Sequence, residues 1–149
     1  MRILIQRVTL GRVVVDERVV GEIGRGYVLL VGIGPADDGA TADRMADKIV
    51  SLRLFENEAG KFDRSLRDVG GGALVVSQFT LFGDARKGRR PSFVGAARPE
   101  LAQPLCDAFA EQLRTLGVSP VATGKFGAHM DVTIHNDGPV TLWLDSEER

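Results

Sequence analysis

The chain has 149 residues, a length that fits one domain (1–149), with 44% hydrophobic residues, 26% charged residues and a net charge of −1. That balance excludes a mainly disordered chain and argues against a general nucleic-acid binder, although a local basic patch remains compatible with it. The longest apolar run, Tyr27 to Ile33, is far short of the ~20 residues of a membrane helix, Met1–Arg7 is too polar for a secretory signal, and a single cysteine, Cys106, leaves no internal disulfide; the cytoplasm is the expected location.

Residues 2–9 and 12–15 read as β-strand with a break at Gly11, followed by a turn at 16–18 and a short strand at 19–23. Tyr27–Ile33 is continuously apolar, the pattern of a strand covered on both faces. Gly34-Pro35 stops it, and Asp37 or Asp38 supplies a carboxylate at the start of a helix whose apolar stripe is Ala42, Met45, Ala46, Ile49 and Val50. A turn at 58–61 and the Gly70-Gly71-Gly72 run precede a second buried strand, 73–76, which continues into Ser77-Gln78-Phe79-Thr80. Residues 83–92 read as a polar loop. A second helix follows, with Leu101, Leu105, Ala108, Phe109, Leu113 and Leu116 on its apolar face, Pro104 in its first turns and Gly117 as its stop. The C-terminal part reads as a hairpin: Met130, Val132 and Ile134 on one face, a turn at 136–139, then Val140, Leu142 and Leu144. Residues 146–149 read as a solvated tail. The order strands–helix–strand–helix–strands, with only two helices, predicts an α/β fold: a single mixed sheet, layered or curled, with both helices on one side.

The common catalytic sets are absent or weak. His129 and His135 share a strand face but stand six residues apart, roughly 20 Å at the strand rise, and cannot bind one metal together. A Ser77–His135–Asp131 triad lacks the Gly-x-Ser-x-Gly elbow, and Cys106 sits among core positions of the second helix. No phosphate-cradling glycine loop is present, so no cofactor and no metal are expected.

Three segments escape a pure packing explanation. Ser77-Gln78-Phe79-Thr80 ends a buried strand with polar groups; it is either a strand surfacing or a set of main-chain N–H donors for an oxyanion. Asn136-Asp137-Gly138-Pro139 is either a tight turn or, with a cis Gly-Pro peptide, a rigid pair of carbonyl acceptors; cis costs only ~0.5–1 kcal/mol before proline. Arg86, Lys87, Arg89 and Arg90 form either a solvated loop or a phosphate-binding patch.

Ile5-Gln6-Arg7-Val8, Ser77-Gln78-Phe79-Thr80-Leu81, Arg90-Pro91-Ser92-Phe93 and Asn136-Asp137-Gly138-Pro139-Val140-Thr141 resemble, in order and spacing, the D-aminoacyl-tRNA deacylase family over residues 1 to about 145. The resemblance implies a homodimer with its active site near the subunit interface. It implies hydrolysis of the ester between a D-amino acid, or glycine, and the 3′-terminal adenosine of tRNA, with rejection of L-aminoacyl-tRNA. Ser77, Gln78, Phe79 and Thr80 would form the catalytic segment. Gly138 and Pro139 would grip the α-amino group in the partner's site, with Asn136 beside them, Arg7 orienting that motif and Met130 lining the site. The 3′ end of tRNA is the implied partner of Arg86, Lys87, Arg89 and Arg90. An aminoacyl ester is already activated, so fixed N–H donors and the substrate's own 2′-hydroxyl suffice without a strong nucleophile. Thr80 as a nucleophile has no base next to it in sequence. A small-ester hydrolase and a non-catalytic RNA-binding module are the other classes compatible with the composition.

Overall fold

The computed structural model describes residues 1–148. A 14-residue strand, β1 (Arg2–Val15), is its spine. One edge of β1 pairs antiparallel with β3 (Gly26–Gly32) through residues 2–8 and with β2 (Arg18–Ile23) through residues 11–15. The other edge pairs antiparallel with β8 (Asp131–Asp145) from Arg2 to Val14. Beyond β3 the sheet continues in parallel with β6 (Gly72–Ser77) and β7 (Val121–Thr123). β2 curls back beside β7, and the approach demands glycine: a Cβ on Gly21 would stand 2.4 Å from the Thr123 carbonyl oxygen. The sheet is therefore mixed and nearly closed.

Helices α1 (Gly39–Ser51) and α2 (Pro99–Thr115) make the two parallel crossovers and pack on one face. Asp38 caps α1, accepting from the Thr41 N–H at 2.8 Å and its hydroxyl at 2.9 Å. α2 opens with Pro99, where no intrahelical N–H is needed, and Pro104 falls in its second turn. The helices bury Tyr27, Leu29 and Val31 of β3 and Ala73 and Val75 of β6. The alternate residues Val28, Leu74 and Val76 meet Val8, Val13, Val15 and Ile23 inside the curled sheet. Thus β3 and β6 are covered on both faces, as their unbroken apolar runs required.

Two expectations are corrected. β1 has no break at Gly11; Thr9 instead lacks a partner of its own on β8, a one-residue bulge. The slip switches faces, so Ile3 and Ile5 join the helix-side core while Val13 and Val15 join the inner one. Nor is the C-terminus a hairpin. Both of its alternating runs pair with β1 in the same direction, because β1 is long enough to take both. Val8 pairs with Asn136 and Gln6 with Thr141, so residues 137–140 loop out opposite Arg7 alone. A two-stranded excursion, β4 (Phe55–Glu56) and β5 (Phe62–Arg64), was also not read from the sequence. It encloses the expected turn at 58–61. Glu147 and Glu148 are exposed, and Arg149 lies outside the described residues.

Candidate active site

A cleft of about 800 Å³ opens at the C-terminal ends of the parallel strands β3 and β6, where crevices in α/β sheets form. Val31, Val76, Ser77, Gln78 and Phe79 line one side; Phe126, His129, Met130 and Val132 line another. The chain leaves β6 through Ser77 and enters a single 3₁₀ turn, Phe79–Phe82. The Gln78 N–H is used on the Val31 carbonyl at 2.7 Å, and Leu81 and Gly83 close the turn. The Phe79 and Thr80 N–H groups take no acceptor among the described residues. Such free donors at a strand end suit a developing oxyanion.

The Gln78 side-chain amide donates to the Thr80 hydroxyl. Neither end of an amide accepts a proton at neutral pH, so this contact orients the hydroxyl without activating it. Thr80 does not line the cleft. The aromatic rim is Phe79 against Phe93, edge to face with centroids 5.1 Å apart. Phe93 was legible as part of the Arg-Pro-Ser-Phe motif. Phe126 and the 96–98 segment were not, because nothing local marks them; only the fold brings them to the cleft.

The second cluster surrounds Arg7, whose side chain is 7% exposed. Its Nη1 donates to the Leu54 carbonyl at 2.7 Å. Its Nε stands 3.1 Å from Asp137 Oδ2, an ion pair without hydrogen-bond alignment, and Glu56 lies 3.8 Å from Nη2. Gly138 has φ +122°, closed to other residues in practice, and a Cβ there would sit 2.9 Å from the Val140 nitrogen. The Gly138–Pro139 peptide is cis, as is Ser119–Pro120. Asn136 fastens the base of the bulge. Its Nδ2 donates to the Arg7 and Val140 carbonyls, each at 3.0 Å, and its Oδ1 accepts from Gln6 and Thr141. Its amide is spent inside the protein. Gly138 and Pro139 are exposed and, like Arg7 and Asn136, line no part of the cleft of their own chain.

Cations 86, 87, 89 and 90 all lie exposed on the 83–92 loop, which an Asp84–Ser92 bridge closes. Arg86 forks onto Asp84 at 2.9 and 2.7 Å, and that guanidinium, with its main-chain N–H, holds the Asp84 carboxyl well below the usual carboxylate range. Of the four, Lys87, Arg89 and Arg90 form no ion pair among the described residues. Cys106 is buried, and burial pushes its thiol up to about 12, which leaves it inert as a nucleophile. Among the described residues no group of three or more His, Cys, Asp or Glu side chains could hold a metal ion. Among the described residues no helix is long and apolar enough to cross a membrane.

The D-Tyr-tRNA(Tyr) deacylase family profile matches residues 4–145. The chain belongs to this family. Proteins named D-aminoacyl-tRNA deacylase from Thermomicrobium roseum and Symbiobacterium thermophilum are 64% and 54% identical to it. Each match covers 99% of this chain, and 96% and 97% of the respective relative. Among solved structures, one titled c-Myc DNA Unwinding Element Binding Protein superposes with a TM-score of 0.91 at 41% identity, over 97% of this chain and 98% of the other. A probable eukaryotic D-amino acid tRNA deacylase superposes at 0.85 with 18% identity over 96% and 97%, a likeness of fold. Family membership thus embraces both the cleft segment and the Arg7 bulge.

Proposed function

We propose that the protein hydrolyses the ester of D-aminoacyl-tRNA, and of glycyl-tRNA, while sparing L-aminoacyl-tRNA. The observation that carries this reading is the cleft wall itself: an unpartnered Phe79 N–H, with the free Thr80 N–H next to it in the chain, beside an apolar, aromatic-rimmed space with no acid–base pair. Such a site suits a substrate that arrives activated. The N–H groups stabilise the tetrahedral oxyanion, where one such donor is worth ~2.7–4 kcal/mol, and the 2′-hydroxyl of the terminal ribose assists water. Ser77 and Met130 shape the floor, and the Phe79–Phe93 rim offers the terminal base a stacking face.

The chiral filter is the exposed Gly138–Pro139 main chain. It does not reach the cleft of its own subunit, so in this reading it enters the cleft of a second copy, and the working unit is a homodimer in the cytoplasm. Carbonyls held there accept from the α-amino group and leave no room for an L side chain. Because the contact is main-chain, it reads configuration and ignores side-chain identity. Glycine has nothing to reject and passes. Lys87, Arg89 and Arg90 meet phosphates near the tRNA 3′ end.

The deciding experiment follows amino-acid release from D-tyrosyl-tRNA and L-tyrosyl-tRNA by purified protein, with EDTA in a parallel reaction. Rapid, EDTA-insensitive loss of the D ester alone is expected. Loss of both isomers would discard the filter and keep the esterase; loss of neither would leave an RNA-binding module.

A further inference from the structure

The contacts of Arg7 are distributed unevenly. Toward the bulge it has one ion pair, with Asp137, and its Nη2 lies 3.4 Å from where a Cβ on Gly138 would stand. A single segment, 54–62, supplies four further contacts. The Leu54 carbonyl accepts from Nη1, Glu56 stands 3.8 Å from Nη2, and the rings of Phe55 and Phe62 lie 6.0 and 5.9 Å from the guanidinium carbon. Phe55 is fixed in the core, stacked on Tyr27 at 5.3 Å. Phe62 is 56% exposed, an apolar ring that core packing does not account for. The hairpin carrying it is firmly closed: Asn57 N–H donates to the Lys61 carbonyl at 2.8 Å, and Asn57 Oδ1 accepts from Ala59 and Lys61.

We infer that the β4–β5 hairpin, through Glu56 and Phe62, positions Arg7 and thereby fixes where the Gly138–Pro139 bulge stands. Glu56 and Phe62 are positioning residues for selectivity; neither lines the cleft. A guanidinium near an aromatic face is held by the ring quadrupole, and Glu56, at the Nη2 beside the Nε that faces Asp137, is a second carboxylate that anchors the same edge of the guanidinium to the hairpin. Without the ring and the second carboxylate, Arg7 is free to follow Asp137 outward. The bulge then moves with it, and the wall that excludes an L side chain shifts. This inference rests on the proposed filter and names the residues that set its position.

Phe62→Ala, Phe62→Tyr and Glu56→Gln are compared with the unmodified full-length protein for kcat/KM on D- and L-tyrosyl-tRNA, alongside Tm and the ¹⁵Nε–H resonance of Arg7. Phe62→Ala is expected to lower D-over-L discrimination about tenfold, mainly by raising the L rate, with D-ester kcat within ~3-fold. Glu56→Gln should do the same more weakly, and Phe62→Tyr, which keeps the ring, should restore the original ratio. The Arg7 Nε–H resonance should shift in Phe62→Ala and not in Phe62→Tyr. An unchanged ratio in both Phe62→Ala and Glu56→Gln overturns the inference. So does a parallel fall of both rates with a lowered Tm, which marks a merely structural role. If the unmodified protein fails to discriminate, the filter reading falls first; an unmoved Arg7 resonance would then refute the positioning role separately.

Discussion

The segment at 77–79 and the bulge at 137–140 both interrupt regular strands, but they are built from opposite materials. The first leaves β6, a strand covered on both faces, carries no ionisable side chain and offers main-chain donors. The second leaves β8, which pairs with β1 alone, offers main-chain acceptors and rests on a buried guanidinium with two carboxylates beside it. Donors suit the oxygen of a breaking ester; acceptors suit an ammonium. The difference separates two tasks in space. On the proposed function, rate belongs to the interior strand and selectivity to a charged support at the sheet edge. Damage to one should spare the other.

The largest expected break in that separation is Arg7→Ala. It leaves the half-exposed Asp137 without its cation and the Leu54 carbonyl without its donor, and a hydrogen bond from a charged group is worth ~1.5–3 kcal/mol. D-over-L discrimination should fall on the order of 100-fold, or ~2.7 kcal/mol, measured as a ratio of kcat/KM values beside a denaturant melt. An Arg7→Ala protein that folds and keeps its ratio would unite the two regions again. Gly138→Ala comes next: at φ +122° an alanine is strained by ~1–3 kcal/mol, so the bulge should deform and discrimination fall while glycyl-tRNA turnover persists. Both esters lost equally would place Gly138 in the rate machinery.

How far this division is visible in the sequence depends on which contacts are local. The runs 27–33 and 73–76 announce strands buried on both faces, since no alternation is needed where both sides are dry. The capping carboxylate at Asp38 and the proline inside α2 are readable for the same reason: their partners lie within a turn. Residues 136–139 mislead because turn-forming residues between alternating runs specify a hairpin only if the runs pair with each other. Here β1, over 120 residues away, takes both. Asn136 shows what only the fold supplies: the resemblance placed it beside the substrate contacts, and the structure adds that its amide bonds Arg7, Val140, Gln6 and Thr141. β4, β5 and β7, at two or three residues each, are too short to leave a period.

Smaller effects sharpen the comparison. Reversing Lys87 and Arg89 to glutamate should raise KM severalfold and leave chirality untouched. With Arg86 occupied by Asp84, three phosphate contacts give a salt slope of about −2 at ~0.7 per contact; a slope near −3 would mean that tRNA displaces Asp84. Thr80→Ala should retain D-ester kcat within ~3-fold in single-turnover kinetics, whereas loss of a true nucleophile costs several orders of magnitude. The smallest effect concerns Cys106. Its thiol is raised to about 12 by burial, so the folded protein binds that proton more tightly than the unfolded chain does. Its contribution to stability is complete below the ordinary thiol value and is lost as pH rises toward 12. Native protein at pH 8 should resist thiol alkylation, and Cys106→Ala should remain active; rapid labelling of folded protein would show that α2 opens locally.

The bulge of β8 is zipped to the same strand on both of its flanks. Register is fixed by Leu10–His135 and Val8–Asn136 before it and by Gln6–Thr141 and Ile5–Leu142 after it. Residues 137–140 are therefore an exchangeable cassette between two fixed anchor points. Changes in their length should leave the paired flanks in register. For an engineer seeking a deacylase with a different stereochemical preference, the place to randomise is this four-residue insert, with Asn136 and Thr141 left as its clasps.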